Sequence, residues 1–430
     1  MRLPGRMAAA IEVLESIEAL KRPVSLALRD WGQSHRFAGS RDRAVIGNLV
    51  YDVMRSRLSH AFIMRSDQPR ALVLSVVVRD WGEDPEQINA SFALDRFAPD
   101  PISKEELELL NAPDPLAGAP EHVVANLAQW LTQAFKQGFG ENWVAEAKEL
   151  CRRPPLDMRV NRLSASRERV IKSLKRFDPR PTEIAQTGLR IKAGTGEDRA
   201  PNVLVDAAYQ KGWLEIQDEG SQIVAALSAV QPGQQVLDFC AGGGGKTLAL
   251  AAMMGNKGQI FAHDSDRHRL APIYERLKRA AVRNAQVREP EKGSLNNLAG
   301  KMDKVVVDAP CTGSGTWRRH PDAKWRLSEA QLEKRLAEQS QILDEAAPYV
   351  RKGGGELIYI TCSLLPAENQ SQIEAFLERN PEFTLVDPQE RWQKIFPHAH
   401  VRPLFSQWGT TLSPLVTNTD GFFVSVLIRK

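Results

Sequence analysis

The sequence predicts an α/β fold: a doubly wound, mostly parallel sheet preceded by a small α+β module and an all-α N-terminal region. From about residue 213, short apolar runs alternate with amphipathic segments, which is the strand–helix order of a parallel sheet. Before residue 150, apolar residues recur at three- and four-residue steps, which is the spacing of helices. Between these regions, a proline pair precedes a strand-like run and a basic, helix-like segment.

Length and composition limit the classes to which the protein can belong. A chain of 430 residues is too long for one core, and we expect three domains at 1–150, 151–212 and 213–430. With 42% hydrophobic and 26% charged residues, the composition is that of a folded protein. The apolar run at 71–78 is too short to span a bilayer, and the first residues lack the apolar core of a secretory signal. We therefore expect a cytoplasmic protein.

The first region is predicted to be helical throughout. Helical spacing is seen at 8–14 and 45–54, and a further amphipathic helix is predicted over 123–135. The segment 111–120 is rich in helix breakers and is predicted to be a connecting loop.

The middle module carries a basic block. Residues 151–194 contain 12 Lys or Arg against 4 Asp or Glu, a net charge of +8, whereas the whole chain carries only +4. A strand is predicted at 154–161, followed by a basic helix that begins at its N-cap Ser164 and ends at Phe177. Such a block on a near-neutral protein indicates a phosphate-rich partner, and a solvated face is the alternative interpretation.

The last region is predicted to carry the chemistry, because ligands bind at the carboxyl ends of the strands in open α/β sheets. The predicted strands are 235–239, 259–263, 304–307, 356–360 and 422–427, and the predicted helices are 246–254, 267–284, 328–350 and 366–379.

Two of the four cysteines follow predicted strands. Cys311 ends an Asp-Ala-Pro-Cys segment, and Cys362 lies in the segment Ile-Thr-Cys-Ser. Two thiols at strand ends indicate covalent catalysis, with one thiol as nucleophile and the other helping to release the product. Cys151 is expected to be a small buried apolar residue. No two cysteines have the spacing of a Cys-x-x-Cys metal site, so that no metal is expected.

A glycine-rich turn follows the first predicted strand and precedes a helix. A P-loop would need a glycine five residues before Gly245, where Cys240 stands, which disfavours an NTPase. The alternative is a nucleoside cofactor that the glycine backbone approaches closely at the start of the helix. The residues of this turn predicted to bind the cofactor are Cys240, Ala241, Gly242, Gly243, Gly244, Gly245 and Lys246.

The nucleoside interpretation requires an acidic residue at the end of the second strand to hold ribose hydroxyls. Asp264 lies there, 18 residues after Lys246. The turn departs from the dinucleotide pattern because Thr247 stands where the third glycine is required. This spacing disfavours a nicotinamide cofactor and predicts S-adenosylmethionine instead.

Four segments carry a resemblance to a known family. They resemble the RNA cytosine-5 methyltransferases of the Sun/Fmu type, most closely the bacterial RsmB-like small-subunit rRNA enzymes. The four are the turn at 240–247, the Asp-Ala-Pro-Cys segment at 308–315, the Thr-Cys segment at 359–363 followed by Glu368 and Asn369, and Asp-Gly-Phe-Phe at 420–423.

The resemblance extends over nearly the whole chain. Segments 156–161 and 217–221 are similar to the family's RNA-binding module and to the start of its catalytic domain, and 41–55 is similar to a NusB-type RNA-binding domain. The resemblance therefore implies a Rossmann-like methyltransferase domain at 213–430, an RNA-binding α+β module and a NusB-like helical domain. It also implies an RNA partner, with 16S rRNA as the expected substrate, and a monomer is expected.

The resemblance assigns the site residues. It implies that Cys362 adds to carbon 6 of cytosine, so that carbon 5 can take the methyl group, and that Cys311 assists release. Lys246 is a candidate charge for lowering the pKa of the nucleophilic thiol, and Asp308 is expected to position the cofactor or the cytosine edge.

Some positions depart from the family or remain open. Gly243 stands where the family usually has proline, and only Glu289 can serve as the acidic residue near the adenine. Basic residues interleaved with Trp317 and Trp325 suit contact with phosphates and bases, or the tryptophans pack in the core.

Several functions stay open as alternatives. The substrate could be tRNA or large-subunit rRNA, and a DNA cytosine methyltransferase would use the Pro-Cys cysteine as nucleophile. A P-loop NTPase and a non-catalytic RNA-binding assembly factor also stay open. The intact cysteine pair and intact turn argue against the assembly factor.

Overall fold

The computed structural model describes residues 1–430, which form two compact units. The helical unit comprises Met1–Pro154, Ala193–Ala200 and Trp317–Leu327. The α/β unit comprises Pro155–Lys192, Pro201–Thr316 and Ser328–Lys430. The predicted fold class is confirmed, whereas the division into three domains stays a prediction. No helix combines the length and the apolar composition that crossing a membrane requires.

The helical unit buries one apolar face of each long helix in a common core. In the helix Ser40–Arg55, the side chains of Val45, Ile46, Leu49 and Val50 are fully buried, at the spacing that places them on one face. The helices of this unit are Leu3–Leu20, Val24–Ser34, Ser40–Arg55, Arg57–Met64, Pro69–Ser75, Pro85–Phe92, Lys104–Asn111, Glu121–Val124, Thr132–Phe139, Trp143–Glu149 and Pro321–Arg326.

The predicted continuous helix over 123–135 is wrong. The first helix stops at Val124, and the next begins at Thr132. Asn126 adopts the left-handed conformation with φ of 50°, and its side chain bonds both the backbone N–H and the hydroxyl of Ser59, at 3.0 and 2.6 Å. This pair of hydrogen bonds to another helix stabilises the break, and local periodicity does not reveal it.

The segment Trp317–Leu327 packs inside the helical unit. The prediction that its side chains contact phosphates and stack on bases is therefore wrong for those side chains that are buried. Trp317 is 1% exposed. The Lys324 ammonium is buried and donates to the backbone carbonyl of Arg55 at 3.2 Å. The indole N–H of the half-buried Trp325 donates to the Met54 carbonyl at 2.6 Å.

The small α+β module of the α/β unit is an antiparallel sheet with one main helix, Arg167–Ser173. This helix is capped by Ser166, which accepts from the Arg169 backbone N–H, and the prediction of Ser164 as the N-cap is wrong. Ser164 instead belongs to a turn closed by its backbone N–H bonding the Asn161 carbonyl at 3.0 Å. The strands are β1 (Leu156–Val160), β2 (Arg180–Pro181), β3 (Gly188–Ile191) and β4 (Leu214–Ile216), in the order β2-β3-β1-β4.

A buried ion pair holds this module to the rest of the α/β unit. The Asp157 side chain is fully buried and accepts two hydrogen bonds of 2.7 Å from the Arg190 guanidinium. It also accepts the backbone N–H of Glu219 at 3.0 Å, the first residue of the helix Glu219–Leu227. One carboxylate therefore joins β1, β3 and the helix Glu219–Leu227.

The large sheet has five parallel strands followed by antiparallel ones. The predicted strands are confirmed with ends shifted by up to two residues, and β7, β10, β11 and β12 are additional. Its strands are β5 (Gln235–Asp238), β6 (Gln259–His263), β7 (Ala285–Arg288), β8 (Lys304–Asp308), β9 (Glu356–Thr361), β10 (Phe383–Leu385), β11 (Leu404–Ser406), β12 (Gly409–Leu412) and β13 (Phe422–Arg429), in the order β11-β12-β13-β9-β8-β5-β6-β7 with β10 beside β13.

Both faces of this sheet are covered, which explains the continuous apolar runs of its central strands. On β8 and β9, Val307 and Tyr359 belong to the core on one face, and Val306 and Ile358 belong to the core on the other. All four side chains are fully buried.

Three of the four predicted helices that cover the sheet are shorter than predicted, including 366–379, which begins at Gln370; the fourth, predicted at 246–254, is shifted by one residue. The predicted helix 267–284 is divided at Pro272, which has no N–H to donate within a helix, and it ends at Arg279. The predicted helix 328–350 ends at Ala346, two residues before Pro348. The helices are Ala207–Gln210, Glu219–Leu227, Gly245–Met253, Arg267–Leu270, Ile273–Arg279, Glu329–Ala346, Gln370–Arg379, Pro388–Ile395 and Pro414–Thr417.

The substitution Asp157→Ala is expected to lower the free energy of unfolding by about 3–5 kcal/mol, because it leaves the mostly buried Arg190 guanidinium with only a 3.5 Å contact to Glu219 and leaves the Glu219 backbone N–H without its acceptor. Urea unfolding followed by circular dichroism measures this change. The matched control is Asp178→Ala on the same module, whose ion pair with Arg180 is exposed and should contribute less than about 1 kcal/mol. Equal losses for both variants would contradict this account.

Candidate active site

The two predicted catalytic cysteines meet at the carboxyl ends of neighbouring strands. In the parallel pairing of β8 with β9, Asp308 lies opposite Ile360, so that the loops that follow leave the sheet side by side. The Sγ atoms of Cys311 and Cys362 are 3.3 Å apart, and both residues are free, half-buried thiols. The pair is close enough for a hydrogen bond between the two sulfur atoms.

The surroundings favour the neutral form of two thiols, those of Cys311 and Cys240. The hydrogen bond with Cys362 raises the pKa of Cys311 well above its usual value, and burial and the negative charge of Glu368 raise it further. Burial, together with nearby carboxylates, also raises the pKa of Cys240 well above its usual value. Cys311 and Cys240 are therefore held as thiols, and Cys311 can donate its proton to Cys362.

Glu368 joins the two cysteine loops. One carboxylate oxygen accepts from the Thr312 backbone N–H at 2.8 Å and from the Gln339 amide at 3.0 Å. The other oxygen accepts from the Thr312 hydroxyl at 2.5 Å and from the Ser363 hydroxyl. Thr312 and Ser363 each follow a cysteine directly, so one fully buried carboxylate fixes both loops.

Two glycines permit the close approach of these loops to the start of β13. The Gly315 N–H donates to the Cys362 carbonyl at 3.0 Å, and the Gly421 N–H donates to the Gly315 carbonyl at 2.8 Å. A Cβ atom at Gly315 would lie 2.1 Å from the Gly421 carbonyl oxygen. Only glycine therefore fits at this crossing.

The glycine-rich turn follows β5, the strand from which the sheet extends in both directions. This is the switch point where open α/β sheets bind ligands. Gly242 and Gly244 have φ of 48° and 83°, and a Cβ atom at Gly244 would lie 2.6 Å from the Ile273 side chain. The turn is thus a cradle of bare backbone, as a closely bound nucleoside requires.

Asp264 lies against this turn, as its spacing predicts. Its carboxylate is buried and accepts from the Gly242 N–H at 2.9 Å and from the Asp266 N–H at 2.9 Å. Each oxygen keeps a second lone pair for a ligand hydroxyl. Glu289 accepts from the Tyr274 hydroxyl at 2.5 Å, and its role near an adenine stays a prediction.

The positive charge of the Lys246 ammonium is compensated by a carboxylate within the site. It lies 3.0 Å from the Asp308 carboxylate and donates to the Ser221 hydroxyl at 3.0 Å. The positive charge predicted to act on the nucleophilic thiol is therefore shared with Asp308. The sequence does not single out Ser221 as a partner of Lys246, because this contact depends on the packing of two helices.

The position of Thr247 argues against a nucleotide-hydrolysing P-loop. Its hydroxyl donates to Asp238 at 2.6 Å, and both side chains are fully buried. Burial raises the pKa of Asp238 to about 7. A P-loop would need this hydroxyl on a magnesium ion, whereas here it faces the interior of the sheet.

Comparison with known proteins identifies the family. The family model for 16S rRNA methyltransferase RsmB/F matches residues 225–428, and that for the ferredoxin-like domain of RsmF/B-like methyltransferases matches residues 127–196. The chain belongs to the RsmB/F methyltransferase family. The resemblance inferred from the sequence motifs is thereby confirmed at the level of the family.

Individual relatives agree with this family. The chain is 34% identical over 309 residues to a probable ribosomal RNA small subunit methyltransferase B from Synechocystis, which covers 69% of this chain and 66% of that protein. It is 32% identical over 311 residues to ribosomal RNA small subunit methyltransferase B from Citrobacter koseri, with 70% and 66% covered. The match thus spans about two-thirds of each relative. The crystal structure of PH0851 has the same fold, with a TM-score of 0.74, 24% identity and 99% of both chains covered.

The substitution Glu368→Gln should lower the pKa of Cys311, because it removes a negative charge while an amide can still bond Thr312 and Ser363. The pH profile for alkylation of Cys311 by iodoacetamide, followed by mass spectrometry, should therefore move to lower pH. Glu374→Gln is the matched control, since Glu374 is exposed on the helix Gln370–Arg379. An unchanged profile in Glu368→Gln would contradict the electrostatic role of this carboxylate.

Proposed function

We propose that this protein transfers the methyl group of S-adenosylmethionine to carbon 5 of a cytosine in small-subunit rRNA. The observation that carries the proposal is the pair of thiols 3.3 Å apart, at the ends of neighbouring strands of a RsmB/F-family sheet. Two adjacent thiols suit a reaction in which one forms a covalent bond to the substrate and the other assists its release.

Cys362 is proposed as the nucleophile. Carbon 5 of cytosine is a weak nucleophile, and the addition of a thiolate to carbon 6 makes it enamine-like and able to take a methyl group. The high pKa of Cys311 supports this assignment, because a neutral Cys311 thiol can donate a hydrogen bond to a Cys362 thiolate.

Cys311 is proposed to assist elimination. After methylation, a water molecule takes the proton from carbon 5, and the electron pair of that C–H bond forms the double bond between carbons 5 and 6. The bond between carbon 6 and the sulfur of Cys362 breaks at the same time, and its electron pair returns to the sulfur. The S–H group of Cys311 stabilises the departing thiolate by hydrogen bonding. The target base must leave its stack to reach this site.

The glycine turn is proposed to hold the methyl donor. The bare backbone at Gly242 and Gly244 suits a closely bound nucleoside, and Asp264 can accept hydrogen bonds from ribose hydroxyls. Asp308, held by Lys246 at 3.0 Å, orients the donor or the cytosine edge between the turn and the cysteines. When bound, S-adenosylmethionine supplies the methyl group as an electrophilic sulfonium.

The substrate class rests on the relatives and on charge. The relatives from Synechocystis and Citrobacter koseri are named as small-subunit rRNA methyltransferases. The basic block at 151–194, with a net charge of +8, lies mostly in the small α+β module and suits an RNA backbone. We therefore favour small-subunit rRNA over tRNA, large-subunit rRNA and DNA.

The substitutions Cys362→Ala and Cys311→Ala test the proposed roles. The first should abolish both methyl transfer and the covalent adduct, because the nucleophile is missing. The second should accumulate a protein–RNA adduct that survives denaturing electrophoresis, because the release step is impaired. Labelled small-subunit rRNA with S-adenosylmethionine provides the assay.

Cys151→Ala is the matched control and should retain full methyl transfer, since Cys151 lies in the helical unit and outside the cysteine pair. An adduct with Cys362→Ala and none with Cys311→Ala would reverse the two roles. No adduct and unchanged activity in both variants would exclude a covalent mechanism.

A further inference from the structure

A pocket of about 470 Å³ opens in the α/β unit, lined by residues outside the cysteine loops and the glycine turn. We call it the Arg159 pocket. One side is formed by the small module, and the other by apolar side chains that include Met253, Ile395 and Phe396. The pocket thus offers a cationic wall opposite an apolar one.

The guanidinium of Arg159 is buried without a carboxylate partner. The residue is 5% exposed, and its Nε–H donates to the Gln217 amide oxygen at 2.7 Å. Burial lowers the pKa of Arg159 to about 10. A buried charge without a close counter-charge is unfavourable unless a ligand supplies one.

The nearest acidic group is already engaged by other arginines. Glu215, whose charge acts on Arg159, is bonded to Arg276 at 3.0 Å and to Arg279 at 2.5 Å. The one carboxylate whose charge acts on Arg159 is therefore already paired with two other guanidinium groups. This local excess of positive charge, beside an open pocket, favours the binding of an anion.

The pocket continues into a second concavity of about 520 Å³. The two share Val160, Arg162, Gln186 and Thr187, and the second adds Arg167 together with the acidic Glu168. Three arginines therefore follow one another along the small module. Such a row matches the repeated phosphates of a nucleic-acid strand better than it matches a single small anion. The apolar wall suits the face of a base.

We propose that the Arg159 pocket binds a phosphate of the RNA substrate outside the target cytosine, with the adjoining nucleotide against Met253 and Phe396. The strand then continues past Arg162 and Arg167. This inference rests on the proposed function, because it takes the substrate to be RNA. It identifies a binding site that is separate from the site of methyl transfer.

The test compares RNA binding by the full-length protein and variants across a range of salt concentrations. Arg159→Met removes the buried charge, and Met253→Glu places a carboxylate at the rim of the pocket, where Met253 is 37% exposed. Each should weaken binding of a labelled small-subunit rRNA fragment by about tenfold. Arg159→Met should also reduce the slope of log affinity against log salt by about one.

Two variants serve as matched controls. Met253→Gln keeps the length of the rim substitution without its charge, and Arg169→Met removes an exposed arginine of the same module that does not line the pocket. Both should bind RNA within about twofold of the unaltered protein. Binding of S-adenosylmethionine, measured by calorimetry, should be unchanged in all four variants. This measurement tests whether each variant keeps its fold.

Three results would overturn the proposal. RNA binding by Met253→Glu equal to that by Met253→Gln would exclude the pocket, even where Arg159→Met fails to fold. An equal loss in Arg169→Met would mean that binding depends on general surface charge. Binding of inorganic phosphate that depends on Arg159 and that RNA does not displace would identify a small anion as the occupant.

The failure of this inference can be distinguished from the failure of the proposed function. Methyl transfer to RNA by the unaltered protein, with binding insensitive to the pocket variants, would leave the proposed function intact and exclude the pocket. Binding that depends on Arg159, without methyl transfer, would support the pocket and exclude the proposed function.

Discussion

The parallel pairing of β8 with β9 is the constraint on which the site depends. Because Asp308 lies opposite Ile360, the two loops that follow leave the sheet together and bring Cys311 and Cys362 within 3.3 Å. Glu368 then fixes the residue after each cysteine. The hydrogen bond with Cys362, burial and the negative charge of Glu368 together raise the pKa of Cys311. The same carboxylate therefore fixes the geometry of both loops and contributes to keeping Cys311 protonated.

Buried charges organise the remainder of the α/β unit. Lys246 is neutralised by Asp308 at the carboxyl end of β8, beside the glycine turn. Asp157 is neutralised by Arg190 and joins the small module to the catalytic fold. Arg159 has no carboxylate within 4.0 Å, and this imbalance is what points to a phosphate there.

The parts of the fold that local sequence determines were predictable, and the parts that depend on distant contacts were not. Continuous apolar runs located β8 and β9, because both faces of these strands are buried. Apolar periodicity predicts one helix over 267–284, whereas Pro272 divides this helix in the structure. The proline is itself a local signal, but the prediction gave more weight to the periodic pattern. The hydrogen bonds of Glu368 and the burial of Lys324 depend on residues far away in the chain, so that no spacing rule reveals them. The positions of the two paired cysteines and of Asp264 at strand ends could be predicted because they follow from the order of the strands.

The most direct measurement is the transfer of label from S-adenosylmethionine, labelled in its methyl group, to total RNA and, separately, to DNA. The labelled product would be fractionated and digested to nucleosides. The account predicts 5-methylcytidine in small-subunit rRNA and no label in DNA. Label on another nucleoside, or no label in any RNA together with binding of ATP, would contradict it.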